Sequence, residues 1–150
     1  MKTVCFVCHG NICRSPAAEY IFKNIIKKLN KETEYCAFSR ATSYEEIGND
    51  IYPPMKRTLD KNGISYSQHS ATRFTQSDYE NSDYIFYMDE NNIRNLLRIC
   101  DDKDNKFLPV FKWTNGINHI EDPWYTDNYQ KVIDELSKCI IDILENIKCL

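Results

Sequence analysis

The chain has 150 residues, 27% of them charged and 42% hydrophobic, with a formal net charge of −3. That length suits a single compact domain, taken as residues 1–150, able to bury roughly two thirds of its unfolded surface without help from a metal or a disulfide. The acidic balance and the lack of a Lys/Arg run argue against nucleic acid or an acidic membrane surface as the partner.

The first element is an apolar β-rich run, Thr3 to Val7. The apolar stretch from Val4 to Cys8 is too short for a signal-peptide core, and His9, Asn11 and Arg14 follow at once. No segment approaches the roughly 20 apolar residues of a membrane span. A cytoplasmic protein is therefore expected. A loop follows, and Pro16 opens a helical pattern with Ser15 as N-cap. Ala18, Phe22, Ile25 and Leu29 mark its apolar face. Tyr35 to Phe38 reads as a second strand. Pro53 to Asn62 reads as a helix closed by Gly63. Tyr84 to Met88 is a strand, and Asp89 caps a helix reaching about Ile99. Phe107 to Phe111 is a weaker strand because Pro109 sits inside it. Tyr129, Ile133, Leu136, Ile140, Ile143 and Ile147 recur at helical spacing and mark a last helix. Strands alternating with helices predict an α/β fold, a parallel sheet covered on both faces. In such sheets the working site lies at the carboxyl ends of the strands.

The seven Cys, at 5, 8, 13, 36, 100, 139 and 149, are odd in number, as reduced thiols in a reducing compartment would be. Cys5, Cys36, Cys100, Cys139 and Cys149 read as small buried hydrophobes. Cys5, Cys8, His9 and Cys13 crowd together, but strand alternation separates them and no second ligand pair follows at zinc-finger spacing. No metal and no cofactor is expected.

The loop Cys8-His9-Gly10-Asn11-Ile12-Cys13-Arg14-Ser15 leaves a strand and enters a helix. Backbone N–H groups of such a turn point inward, and the helix dipole is positive there, so the backbone alone makes an anion site. Gly10 and Asn11 tolerate the left-handed conformations a tight nest requires. A thiol at the base of that nest, beside a cation, is expected to be a thiolate at neutral pH. Arg14 offers a planar fork for two phosphate oxygens. His9, next to Cys8, is read as a further cation if it faces the pocket. A lone Cys-x5-Arg is a weak signal in a chain with seven Cys. The preceding strand, the following Ser15-Pro16, and Gly10 and Asn11 inside strengthen it. Phosphoryl transfer to a thiolate also needs a proton donor for the leaving oxygen. Asp122, in Glu121-Asp122-Pro123-Trp124-Tyr125, is the candidate, on a loop stiffened by Pro123. Trp124 and Tyr125 offer flat faces for an aromatic ring.

Over nearly its full length the chain resembles the low-molecular-weight protein tyrosine phosphatases. The matching stretches are Val7-Cys8 through Ser15-Pro16, Ala41-Thr42-Ser43 with Gly48, Asn62-Gly63-Ile64, Asp83-Tyr84-Ile85 through Met88-Asp89-Glu90, and Glu121-Asp122-Pro123. The resemblance implies a four-stranded parallel sheet with helices on both sides, a three-layer arrangement of Rossmann-like or flavodoxin-like topology. It implies a metal-free mechanism through a phosphocysteine intermediate, with phosphotyrosine proteins as substrates and phosphate and other oxyanions as inhibitors. A monomer is expected. In that scheme Cys8 attacks phosphorus, Arg14 stabilises the equatorial oxygens, and Asp122 is general acid, then base. Ser15 hydrogen-bonds the thiolate. Asn11, Ser39 and His69 resemble a network that holds the loop in shape. The loop residues His9 to Cys13 and the aromatics Tyr44, Trp124 and Tyr125 would contact substrate, Tyr44 serving as a cleft wall. The resemblance also points to a Cys8–Cys13 disulfide under peroxide. His9 and Trp124 depart from the family pattern, as does the region around Tyr44 and Glu45, which bears on substrate preference.

Two other readings remain. An arsenate reductase on the same scaffold would pass oxidation to a further Cys pair, but Met88 to Arg98 holds no Cys and Cys100 stands alone. A non-catalytic phosphate-binding module would need the nest but neither Cys8 nor Asp122.

Overall fold

The computed structural model describes residues 1–148. Cys149 therefore lies outside the described residues. Four strands, β1 (Lys2–Cys8), β2 (Tyr35–Ala41), β3 (Tyr84–Tyr87) and β4 (Phe107–Pro109), form one sheet in the order β2-β1-β3-β4. Every pairing is parallel. Six helices accompany them: α1 (Arg14–Lys28), α2 (Pro53–Lys61), α3 (Gln76–Asn81), α4 (Glu90–Ile99), α5 (Pro123–Thr126) and α6 (Tyr129–Asn146).

β1 is central, so both of its faces are covered and its side chains divide by parity. Val4, Phe6 and Cys8 join a core with residues of α1, α2 and α6. Cys5 and Val7 join the opposite core, with Tyr79 of α3 and Leu96 of α4. The Phe6 ring packs against Phe22 at 5.8 Å and Phe86 at 5.9 Å. The expected three-layer α/β architecture is thus present. The strand order reverses direction beside β1, which opens a crevice at the carboxyl ends of β1 and β3. Among the described residues no helix is long and apolar enough to cross a membrane.

Several element readings change. α1 begins at Arg14, not Pro16; Cys13 is its N-cap and makes no side-chain cap bond. Ser15 is inside the helix, and its hydroxyl is bonded to Cys8, Asn11 and the Arg40 carbonyl. Leu29 is 52% exposed at the C-cap, so the buried face of α1 ends earlier. β2 runs three residues further than expected, to Ala41. β4 stops at Pro109, which pairs with Tyr87 at the sheet edge. α3 was not expected. A capping box between Thr75 and Asp78 starts it. The 123–126 segment, read as loop, is a short helix capped by Asp122 with Pro123 in its first turn.

Candidate active site

The loop from Cys8 to Arg14 crosses from the end of β1 into α1. Its carbonyls are turned outward and occupied: Cys8 O accepts from Thr42 N (3.0 Å), His9 O from Ser43 N (3.1 Å), and Ile12 O from Tyr52 N (2.9 Å). Asn11 O meets His69 Nε2 at 2.6 Å. With the carbonyls spent, the N–H groups are left for the inside of the turn. Two of them, Asn11 N and Ser15 N, point at Cys8 Sγ at 3.3 and 3.4 Å. Ser15 Oγ lies 3.0 Å from the same sulfur. Two backbone N–H groups and the Ser15 hydroxyl thus converge on the sulfur.

Asn11 supplies the turn. Its φ of 59° is left-handed, a conformation Asn adopts at lower cost than most residues. Its wholly buried side chain donates to Ser15 Oγ (2.7 Å) and Ser39 Oγ (2.9 Å) and accepts from Thr72 N (3.1 Å). Ser39 in turn donates to Glu19 (2.6 Å). Gly10 is not among the residues with positive φ. It is small for another reason: a Cβ there would stand 3.3 Å from Glu46 Cγ.

Arg14 is 3% exposed. Its Nη1 donates to Asp89 Oδ2 (2.7 Å) and to Ile120 O (2.8 Å). Burial works against its charge, but the neighbouring Cys8, Asp89 and Asp122 outweigh that and hold the guanidinium above its ordinary pKa. Asp122 Oδ2 lies 3.7 Å from Arg14 Nη2, and its Oδ1 accepts from Trp124 N at 3.0 Å. Glu121, the preceding residue, reaches Lys131 at the start of α6 (2.7 Å) and Asn128 (3.2 Å). Hydrogen bonds from Lys131, Thr126 and Asn128 hold its carboxyl down at about 2. The two ends of the Asp122 loop are thereby tied together.

These groups open on one pocket. Cys8, Gly10, Ile12, Cys13 and Arg14 form its lower wall, with Asp122, Trp124 and Tyr125 from the loop after β4 and His9, Glu45 and Glu46 completing it. Trp124 is half exposed and rests against Tyr52, 5.0 Å between rings. Cys8 and Cys13 both face this pocket, while Cys5 belongs to the opposite core. Cys5, Cys8, His9 and Cys13, close in sequence, therefore do not converge on one point. Burial above all, and then Cys8, push the Cys13 thiol well up.

A family model for the low molecular weight phosphotyrosine protein phosphatases matches residues 3–149. The chain belongs to this family. The phosphatase of that name from Gallus gallus is 37% identical over 155 residues, 97% of this chain and 95% of that protein. The crystal structure of YfkJ from Bacillus subtilis superimposes with a TM-score of 0.93 at 31% identity, covering 98% of this chain and 94% of that one. SP-PTP, a low molecular weight protein tyrosine phosphatase from Streptococcus pyogenes, gives 0.89 at 34%, with 99% of this chain and 95% of that one covered.

Within this phosphatase fold, the site residues read from sequence divide into three groups. Cys8, Arg14 and Asp122 share the pocket, with His9, Gly10, Ile12, Cys13, Trp124 and Tyr125 on its walls. Asn11, Ser15, Ser39 and His69 support the loop from behind. Asn11 and Ser15 are fully buried and do not line the pocket, so neither is placed to contact substrate directly. Tyr44 is not a cleft wall. It is 72% exposed, with the Arg73 guanidinium 4.2 Å over its ring, and Glu45 and Glu46 line the pocket in its place. Sequence reasoning missed Glu19, Thr72, Asp89 as the anchor of Arg14, and the two rim glutamates. Only Asp89 carried a local signal, its helix-capping position, and that signal says nothing of Arg14.

Proposed function

We propose that this phosphatase hydrolyses phosphotyrosine through a phosphocysteine on Cys8. The observation that carries this is the single pocket in which Cys8 Sγ, ringed by N–H and O–H groups, faces Arg14 and Asp122. The phosphate dianion sits in the nest, with two of its oxygens on the free edge of the Arg14 fork. Cys8 sulfur attacks phosphorus, an S–P bond forms and the P–O bond to the phenol breaks. Asp122 gives its proton to the departing phenolate oxygen. Water then attacks phosphorus and gives a proton to Asp122, the S–P bond breaks, and its electrons return to sulfur, which Ser15 Oγ stabilises. Arg14, fixed by Asp89 and Ile120, neutralises charge on the transferring group without reorganising. The depth of Cys8 and the aromatic faces of Trp124 and Tyr125 favour phosphotyrosine over the shorter phosphoserine.

Arsenate reduction is disfavoured by the same geometry. Cys100 is buried in the opposite core beside Leu96 and Phe107 and cannot meet a relay from Cys8. The test pairs two variants. Cys8→Ser is expected to abolish turnover of p-nitrophenyl phosphate while still binding vanadate. Asp122→Ala is expected to lose about 10²–10⁴-fold on phenyl phosphates with poor leaving groups, and less as the phenol pKa falls. An equal loss across the series removes Asp122 from the acid role, and activity of Cys8→Ser within tenfold of wild type removes the nucleophile.

A further inference from the structure

The floor of the pocket and its rim carry opposite charge. The floor offers Arg14 and backbone N–H groups to a dianion. At the rim, on the loop that follows β2, stand Glu45 and Glu46, and both are held in place. Glu45 Oε2 lies 2.9 Å from His9 Nε2. Glu46 accepts from Asn49 Nδ2 at 2.6 Å, and its stem lies on Gly10, in the space that a side chain there would fill. The loop itself is fastened to the nucleophile loop through Ser43, whose N and Oγ both donate to His9 O. Arg73, a cation close to this loop, stacks on Tyr44 and does not line the pocket. Asp122, to act as acid, must enter the reaction uncharged. The rim charges that meet a bound segment are therefore Glu45 and Glu46, with His9 the one basic group among them.

A rim built to admit phosphate alone would gain from cations, because carboxylates repel the entering dianion. Fixed glutamates at the mouth make sense for a ligand that is anionic at its tip and cationic behind it. We propose that Glu45 and Glu46 are specificity-determining residues that select phosphotyrosine with Lys or Arg beside it in sequence and disfavour acidic neighbours. This rests on the phosphotyrosine phosphatase reading above and names the substrate class within it. With the phosphotyrosyl ring lowered between the rim loop and Trp124 and Tyr125, an extended chain places its neighbouring residues within about 3.3–7 Å along the mouth. A long basic side chain reaches the carboxylates from there. Opposite-charge attraction also raises the rate of encounter, and like charge lowers it.

The experiment compares two phosphotyrosine peptides differing only in flanks, one with Arg on both sides and one with Glu. The readout is the ratio of their kcat/KM values within each protein, so that a variant's absolute activity does not matter. Exposed pairs contribute a few-fold each, so the wild-type ratio at low salt is expected to be about tenfold in favour of Arg. It should shrink at 0.5 M salt, where the screening length falls below about 5 Å. Glu45→Gln and Glu46→Gln should each reduce the ratio, the double variant should bring it near one, and Glu45→Lys should favour the acidic peptide. A wild-type ratio at or below one, or a ratio unchanged in the double variant, overturns charge selection while leaving the phosphatase intact. Absence of turnover on p-nitrophenyl phosphate in the wild type would overturn the catalytic reading, and this proposal with it.

Discussion

Asn11→Ala attacks the nucleophile loop at the point where its shape is decided. The native side chain is fully buried and makes three hydrogen bonds, to Ser15, Ser39 and the N–H of Thr72. Alanine leaves those three partners short, at about 1 kcal/mol each. It must also adopt the φ of 59° that Asn tolerates, at about 1 kcal/mol more. The expected loss is therefore about 4 kcal/mol, a large part of the 5–15 kcal/mol by which a domain is stable. Asn11→Gly removes the same hydrogen bonds but accepts the backbone, so it should lose about 1 kcal/mol less. Urea unfolding at pH 7 measures both. In each variant kcat should also fall, because Ser15 Oγ loses the neighbour that sets it 3.0 Å from Cys8 Sγ. An alanine variant within about 1 kcal/mol of wild type would refute the network as the support of the loop. Equal losses for alanine and glycine would refute the backbone share.

Two further outcomes follow from the same geometry. The Glu121 carboxyl, about 2 when folded against an ordinary value of 4.5, stabilises the fold above pH 4.5 and loses that contribution as pH falls towards 2. Because Lys131 is largely exposed, Glu121→Gln should cost only about 1 kcal/mol at pH 7, with the gap closing in urea titrations at pH 3; a constant gap would refute the assignment. Peroxide should convert Cys8 to a sulfenic acid that condenses with the Cys13 thiol, losing water, to a disulfide that dithiothreitol reverses. Cys13→Ser should then be inactivated irreversibly, and peptide mapping that pairs Cys8 with another Cys would refute the switch.

The strands and long helices were legible because their signals are local. Alternation along β1 and the four-three spacing of α6 survive in any context. Three misreadings came from side-chain partners that no local pattern announces. Ser15 before Pro16 looks like a helix cap, yet its hydroxyl is drawn to Cys8 and Asn11. Gly10 looks like a conformational glycine, yet its φ is not positive, and what a side chain there would meet is Glu46, thirty-six residues on. Tyr44 has the right chemistry for a cleft wall, but a loop side chain has no periodicity to fix its direction, and stacking with Arg73 turned it away. The capping box of α3 was local and visible in Thr75-Gln76-Ser77-Asp78, and could have been read.

The chemistry and the selectivity of this pocket are held by different means. Every group at the floor is cross-braced, and Cys8, Asn11 and Arg14 are themselves buried: Cys8 by Ser15 and the turn, Arg14 by Asp89 and Ile120, the turn by Ser39, Thr72 and His69. A substitution at any one of these leaves a buried polar group unmatched, so the floor resists change. The rim glutamates are partly or largely open to solvent and rest on single contacts, to His9 and to Asn49. Water can replace those contacts at little cost to stability. Charge at the rim can thus be altered without disturbing the sulfur and guanidinium below it, so on the proposed reading the choice of flanking charge on Glu45 and Glu46 can change while the nucleophile and its phosphate nest on residues 8–15 stay fixed.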